Sequence, residues 1–386
     1  MADPLLFTPM ALRGITLKNR VVIAPMHQYS AVNGYATDWH LMNAGRFAAG
    51  GAGLVIMEST KVERRGCGTV GDLGIWKDDF IPGLKRCAEF IRRHAAVPGI
   101  QLGHSGRKAR RFRPWEGGAP LKPSREIDDW EAWELVAPSA LSSPASDPPP
   151  RALERDEIGK LIEAWGEAAR RADEAGFEML EVHGAHGYLI HEFLSPFSNR
   201  RTDEYGGSER NRLRFCIEVV EAVRAKWPHH KPLFLRLSVE DNTGWGPEQS
   251  ADLARIVKTK GVDVIDCSSG GMTGSPVISA GPVGYGYQVP YAAKLRAEVG
   301  IKTMAVGLIV HADQAETILA KGEADLIAIA REVLYNPNWP MDAAQKLGVD
   351  REFASVPSPQ AFWLAKRASA VKGVVPSTFQ RGIGAR

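Results

Sequence analysis

Eight short apolar runs, punctuated by helical patterns, constrain this chain more than any other feature. The runs fall at 20–25 (RVVIAP), 53–58 (GLVIME), 99–103 (GIQLG) and 177–182 (FEMLEV), then at 232–238 (PLFLRLS), 262–267 (VDVIDC), 303–307 (TMAVG) and 325–330 (DLIAIA). Helical periodicity lies between them, at 80–94, 154–175, 209–226, 250–260 and 312–321. Runs that are apolar on both faces and separated by helices imply parallel strands joined by crossovers. Eight such units are the number of a (β/α)8 TIM barrel. A doubly wound sheet competes, but no glycine-rich dinucleotide fingerprint follows the first run. The 386 residues are therefore read as one barrel domain over 1–365. The proline- and tryptophan-rich segment 107–151 is an excursion over the barrel mouth after strand three, too long for a simple connection. Residues 366–386 form a C-terminal tail, either at a dimer interface or disordered.

Polar residues gather where these runs end: His27 and Tyr29 after the first, His104 after the third, Arg236 to Ser238 in the fifth, and Ser268 to Gly271 after the sixth. In a barrel such ends converge on one mouth, where chemistry sits. The fourth end carries most, because VHGAHGY puts His183, His186 and Tyr188 within six positions. Imidazole N–H groups hold an oxygen as negative charge grows on it, and a phenol delivers a proton nearby. A lone buried histidine is ordinarily a satisfied core side chain; two of them with a tyrosine at one strand end make a candidate active site. A metal-dependent hydrolase using His183 and His186 as ligands needs further ligands at other strand ends, and HGAH lacks the HExxH pattern.

Composition narrows the class. Hydrophobic residues make up 44% and charged residues 24%, as in globular enzymes. A net charge of +3 with both signs mixed along the chain does not point to nucleic acid; the basic run 106–113 reads as a solvated loop, in which one lysine or arginine could serve an anionic cofactor. No apolar run approaches the ~20 residues of a membrane span, and MADPLLFTPMALRG lacks the pattern of a signal peptide, so a cytoplasmic location is expected. Cys67, Cys87, Cys216 and Cys267 stand singly, which supports neither a zinc ribbon nor an iron–sulfur cluster.

Four stretches carry a resemblance: LFTPMALRGITLKNRVVIAPM, QLGHSGRKA, HGAHGYLIHEFLSPFSNRRTDEYGG and DLIAIAREVLYNPNWP. Together they resemble the Old Yellow Enzyme family of FMN-dependent ene-reductases, in particular its bacterial xenobiotic-reductase-like subgroup. The resemblance implies FMN, with Pro25, Met26 and Ser59 along the ring, Gln101 at its pyrimidine edge and Arg236 near N1–C2=O. It implies a phosphate site at Gly307, Ala330 and Arg331. Relatives usually carry glycine at the position of Ala330, so a negative φ is expected there. His183 and His186 would hold the substrate's carbonyl or nitro oxygen, Tyr188 would donate a proton to the α-carbon, and Tyr29 would supply a second phenol. Lys108 is left between a contact with the flavin or its ribityl chain and a solvated position. NADPH or NADH would reduce the flavin, and an activated alkene would then accept the hydride at its β-carbon. Homodimers or higher assemblies are implied, in which a C-terminal segment reaches a neighbour's pocket; Trp363 is the candidate for substrate contact. His27 departs from the subgroup, which commonly has cysteine beside the flavin, and a changed reduction potential is expected from it. A non-catalytic FMN-binding redox sensor is the alternative.

Overall fold

The computed structural model describes residues 3–123, 127, 129–274 and 283–370. Eight parallel strands close into a barrel: β1 (Val21–Ile23), β2 (Leu54–Lys61), β3 (Val97–Gly103), β4 (Met179–Gly184), β5 (Leu233–Ser238), β6 (Val264–Ser268), β7 (Lys302–Ala305) and β8 (Leu326–Ile329). Each pairs with the next in sequence, and β8 returns to β1 through Ile327 to Ile329 against Val21 to Ile23. This is a (β/α)8 TIM barrel. The covering helices are α1 (Asp38–Ala49), α2 (Ile81–Arg93), α3 (Arg155–Glu174), α5 (Glu209–Lys226), α6 (Pro247–Thr259), α7 (Val289–Val299), α8 (Ala312–Ala320) and α10 (Trp339–Lys346). Two short helices, α4 (Leu189–Leu194) and α9 (Arg331–Tyr335), follow β4 and β8, and α11 (Ser358–Ala370) comes last. None of the described helices is long and apolar enough to cross a membrane.

The strands form because both faces are covered: every residue of β2, β3, β4 and β5 is buried. Outward-facing residues such as Val55, Leu180, Leu235 and Ile265 pack with the apolar stripes of the helices. Inward-facing Leu54, Met179, Phe234, Val264, Met304 and Leu326 form a second cluster. Met10, Leu12 and Leu17, from an antiparallel hairpin (Met10–Leu12 with Ile15–Leu17), join that cluster and close the N-terminal end of the barrel.

Alternation then sets what the interior offers. Side chains two apart on a strand share a face, so Met179 shares its face with Glu181 and His183, Phe234 with Arg236 and Ser238, and Val264 with Asp266 and Ser268. The lumen thus grades from hydrocarbon, through a charged layer, to a rim of imidazole and hydroxyl at the C-terminal mouth.

Two strands run two or three residues past the ends read from the sequence. β4 continues past Val182 to Gly184, which places His183 within the strand, and β2 runs on to Lys61. The register of β2 shifts between Met57 and Thr60, a bulge that lets a polar stretch stay paired at the mouth.

Candidate active site

His183 is 4% exposed, and its Nδ1 accepts the backbone N–H of Ala185 at 3.2 Å, which leaves the ring proton on Nε2. Burial, reinforced by His186 and Arg236, holds its pKa well below the ordinary histidine value, so the ring is a neutral donor. His186 sits at φ +62° in the turn that follows. Its backbone N–H donates to Ser238 Oγ at 2.9 Å, and its Nε2 lies 2.7 Å from Ser268 Oγ. The turn depends on Gly187, at φ +69°, where a Cβ would come within 2.3 Å of the Gly271 carbonyl oxygen.

Tyr188 stands at the N-terminus of α4, with its ring edge-on to His183 at 5.0 Å and to His27 at 6.4 Å. Burial raises the phenol's pKa well above its usual value, so it keeps its proton. The Lys108 ammonium is tied to the backbone carbonyls of His186, at 2.8 Å, and Gly271. Burial and nearby Arg107 lower it to about 8. Lys108 therefore braces the catalytic turn and is not a solvated side chain.

The facing wall comes from the segment after β1. His27 stacks on Tyr29 at 5.2 Å, and Trp115 of the excursion packs edge-on to Tyr29 at 5.5 Å. Behind His27, the buried Glu58 carboxylate lies 3.7 Å from His27 Nδ1 and 3.0 Å from His40 Nε2, and it accepts the Gln28 backbone N–H at 2.8 Å. Burial opposes its charge, but the attraction of the two imidazoles facing it, His27 and His40, outweighs burial and brings the carboxyl down to about 2. Between these walls lies a cavity of about 770 Å³, lined by His27, Tyr29, Lys108, Tyr188 and Phe197, with Phe112 and 142–145 of the excursion roofing it.

Below the mouth lies the charged layer. Arg236 Nε is 3.2 Å from Asp266 Oδ2, close enough to pair though not aligned as a hydrogen bond. Gln101 Nε2 donates to Glu181 Oε1 at 2.8 Å. Burial first, then repulsion from Asp266, pushes Glu181 up to about 8, and burial raises Asp266 as well. Ser59 Oγ accepts from buried Lys61 Nζ at 3.0 Å.

A flavin fits this donor set. Arg236 is 8% exposed and held below the mouth with its Nε turned to Asp266, a fixed cation suited to an electron-rich heterocycle. At the far side Gly307 has φ +116°, and a Cβ there would press on Gln288 at 3.0 Å. Ala330 has φ −114°, so its methyl group is accommodated where relatives carry glycine. Arg331 opens α9 with an exposed side chain, while Pro25 and Met26 are half-buried at the mouth.

Trp363 is not brought to this cavity. It is 64% exposed on α11, a helix with no buried residue. Residues 371–386 of the expected tail, and 275–282 of the glycine-rich loop after β6, lie outside the described residues. Sequence reasoning passed over Glu58, Glu181 and Asp266. Their signal was an acid at or next to the end of a mainly apolar run, last in GLVIME and fifth in FEMLEV and VDVIDC.

The model of the NADH:flavin oxidoreductase / NADH oxidase family matches residues 5–350. An NADPH dehydrogenase of Geobacillus sp. (strain WCH70) is 43% identical over 350 residues, covering 90% of this chain and 95% of that protein. Among solved structures, morphinone reductase superposes with a TM-score of 0.75 at 29% identity, over 94% of this chain and 93% of that one. A 2-naphthoyl-CoA reductase complex gives a TM-score of 0.79 at 27% identity over 89% of this chain; this chain spans only about half (52%) of that longer protein.

Proposed function

This chain belongs to the NADH:flavin oxidoreductase / NADH oxidase family, and on that premise we propose that it reduces the C=C bond of α,β-unsaturated carbonyl or nitro compounds. It is an FMN-dependent oxidoreductase driven by NADPH or NADH, as the Old Yellow Enzyme resemblance implied. In this reading Pro25, Met26 and Ser59 line the flavin ring, Gln101 and Arg236 hold its pyrimidine side, and Gly307, Ala330 and Arg331 hold its phosphate. Bound there, FMN supplies the hydride chemistry between nicotinamide and alkene.

The observation that carries the proposal is the neutral His183, with its proton on Nε2, 5.0 Å ring to ring from a phenol that keeps its own proton. An enolate-like transition state gathers charge on the substrate oxygen and needs a proton at carbon. His183 Nε2–H meets the first need, and donors of this kind are worth ~3 kcal/mol each in measured cases. His186 adds a second contact, at Nδ1 or by releasing Ser268. Tyr188 meets the other need, and Tyr29 faces the same oxygen from across the cavity. Phe112 and Phe197 keep water away. Trp363, exposed on its own chain, serves the pocket of a second copy.

Anaerobic half-reactions test this. NADPH should bleach the flavin absorbance of the purified protein, and 2-cyclohexenone should restore it. Tyr188→Phe should leave the bleaching intact and slow the recovery ~100-fold or more, the usual yield of a positioned acid. Recovery no faster with cyclohexenone than with buffer would sink the reading and favour a redox sensor.

A further inference from the structure

Beside the reaction chamber the excursion encloses a second cavity, of about 340 Å³. Among the described residues that line it, four are cationic, Arg107, Arg110, Arg111 and Lys122, against one carboxylate, Asp147, which is paired with Arg111. Arg111 lines both cavities, so the Arg111–Asp147 pair stands at the partition between them.

Arg107 is the anomaly. It is 4% exposed, and its Nη2 donates to the Met272 carbonyl oxygen at 2.9 Å, yet Nε and Nη1 are buried without a hydrogen-bond partner. A buried guanidinium is ordinarily paired, and each unused N–H is costly. The neighbouring carboxyl, Glu192, accepts the backbone N–H of Arg107 at 2.9 Å and makes no ion pair with the guanidinium. Burial pushes Glu192 up to about 8, which leaves it largely protonated at neutral pH. Arg110 repeats the pattern: its guanidinium carbon stacks 3.5 Å from the Trp130 ring centre, and its Nε is buried with no partner. The remaining walls, including Pro120, Leu121, Leu135 and Pro148, are apolar.

We propose that this cavity is an anion subsite for a phosphate ester with a flat, ring-bearing body, Arg107 and Arg110 taking the phosphate and the proline–leucine walls the body. Several cationic N–H donors around one cavity suit a dianionic phosphate better than a single carboxylate. Two sources share that chemistry: the 2′-phosphoadenosine end of NADPH, or a phosphate ester carried by the alkene substrate. The proposal extends the functional reading above, but the binding part of its test needs no turnover.

FMN-loaded, full-length protein is titrated by calorimetry with 2′,5′-ADP, 5′-AMP and inorganic phosphate, in the wild type and in Arg110→Ala. Arg110→Lys serves as a milder variant that keeps the charge and loses the planar fork. Tighter binding of 2′,5′-ADP than of 5′-AMP, weakened about tenfold in Arg110→Ala, with KM rising for NADPH and not for NADH, assigns the subsite to the nucleotide. Weakened inorganic phosphate binding, with KM rising for a phosphate-bearing enone and not for either nucleotide, assigns it to the substrate. Absence of binding by every probe, or equal binding in wild type and both variants, overturns the proposal. The calorimetric outcomes stand whether or not cyclohexenone is turned over, so a failure of the functional reading leaves the subsite tested.

Discussion

Glu58 is the residue on which the face of the cavity opposite Tyr188 depends, and its chemistry has a definite pH signature. Its carboxyl titrates near 2 in the folded protein, against an ordinary value near 4.5. The sign follows from linkage: a depressed carboxyl contributes stability that is present above the unfolded pKa and is lost as pH falls through the folded one. The window is therefore pH 4.5 down to about 2, and a shift of that size is worth about 3 kcal/mol. Glu58→Gln should lower stability at pH 6 by roughly that amount and narrow the gap to the wild type at pH 3, read by urea unfolding at the two pH values. A constant gap would mean that the carboxylate's charge is not what holds His27 and His40. His183, His186 and Tyr188 were legible because the chemistry is spelled in one contiguous motif. The Glu58 array was not, because His27 and His40 meet the carboxylate only once α1 has packed on β2.

At the scale of elements, the excursion is anchored by the largest fully buried side chain among its described residues. Trp133 is fully buried, its Nε1 donates to the Cys67 carbonyl oxygen at 2.9 Å, and the Arg64 guanidinium carbon lies 3.8 Å from its ring centre. A two-residue parallel pair, Val136–Ala137 with Arg151–Ala152, closes the base of the loop. Trp133→Phe should cost about 1 kcal/mol for the lost hydrogen bond, and Trp133→Ala ~3–5 kcal/mol for the emptied site. Because the excursion roofs the cavity without entering the lumen, Trp133→Ala should raise KM for the enone more than it lowers kcat, and should speed proteolysis within 107–151. Cleavage at the wild-type rate would show that the loop is held elsewhere. The barrel strands were legible because two covered faces force unbroken apolar runs such as GLVIME and PLFLRLS. Helix α1 was not, because its pattern is inverted: His40 and Asn43 are buried while Trp39 and Met42 are 48% and 43% exposed. Ala44, Phe47 and Ala48 make part of its inward face apolar, but His40 on that face answers to Glu58, so the apolar periodicity is broken.

For the whole molecule, α11 poses a problem that one chain does not solve. An isolated helix of this length is marginal in water without a packed face, yet none of its thirteen residues is buried. Phe362 and Trp363 pack edge-on to each other at 5.2 Å while remaining 60% and 64% exposed. Paired aromatics on a helix that its own barrel leaves uncovered are the composition of an interface centre. A second copy of the chain would cover them and would bring Trp363 to a neighbour's cavity, whose mouth its own geometry does not reach. Tryptophan anchors of this kind are worth ~2 kcal/mol or more, about a thirtyfold change in dissociation constant. Sedimentation velocity across a concentration series should therefore show a dimer or larger assembly for the wild type, with Trp363→Ala dissociating at protein concentrations roughly thirtyfold higher. KM for the enone should rise in that variant in step with the loss of assembly, while NADPH bleaching of the flavin, which the barrel alone supports, persists. A wild type that sediments as a monomer at every concentration, with KM indifferent to Trp363, would leave α11 without the partner its exposed aromatics require.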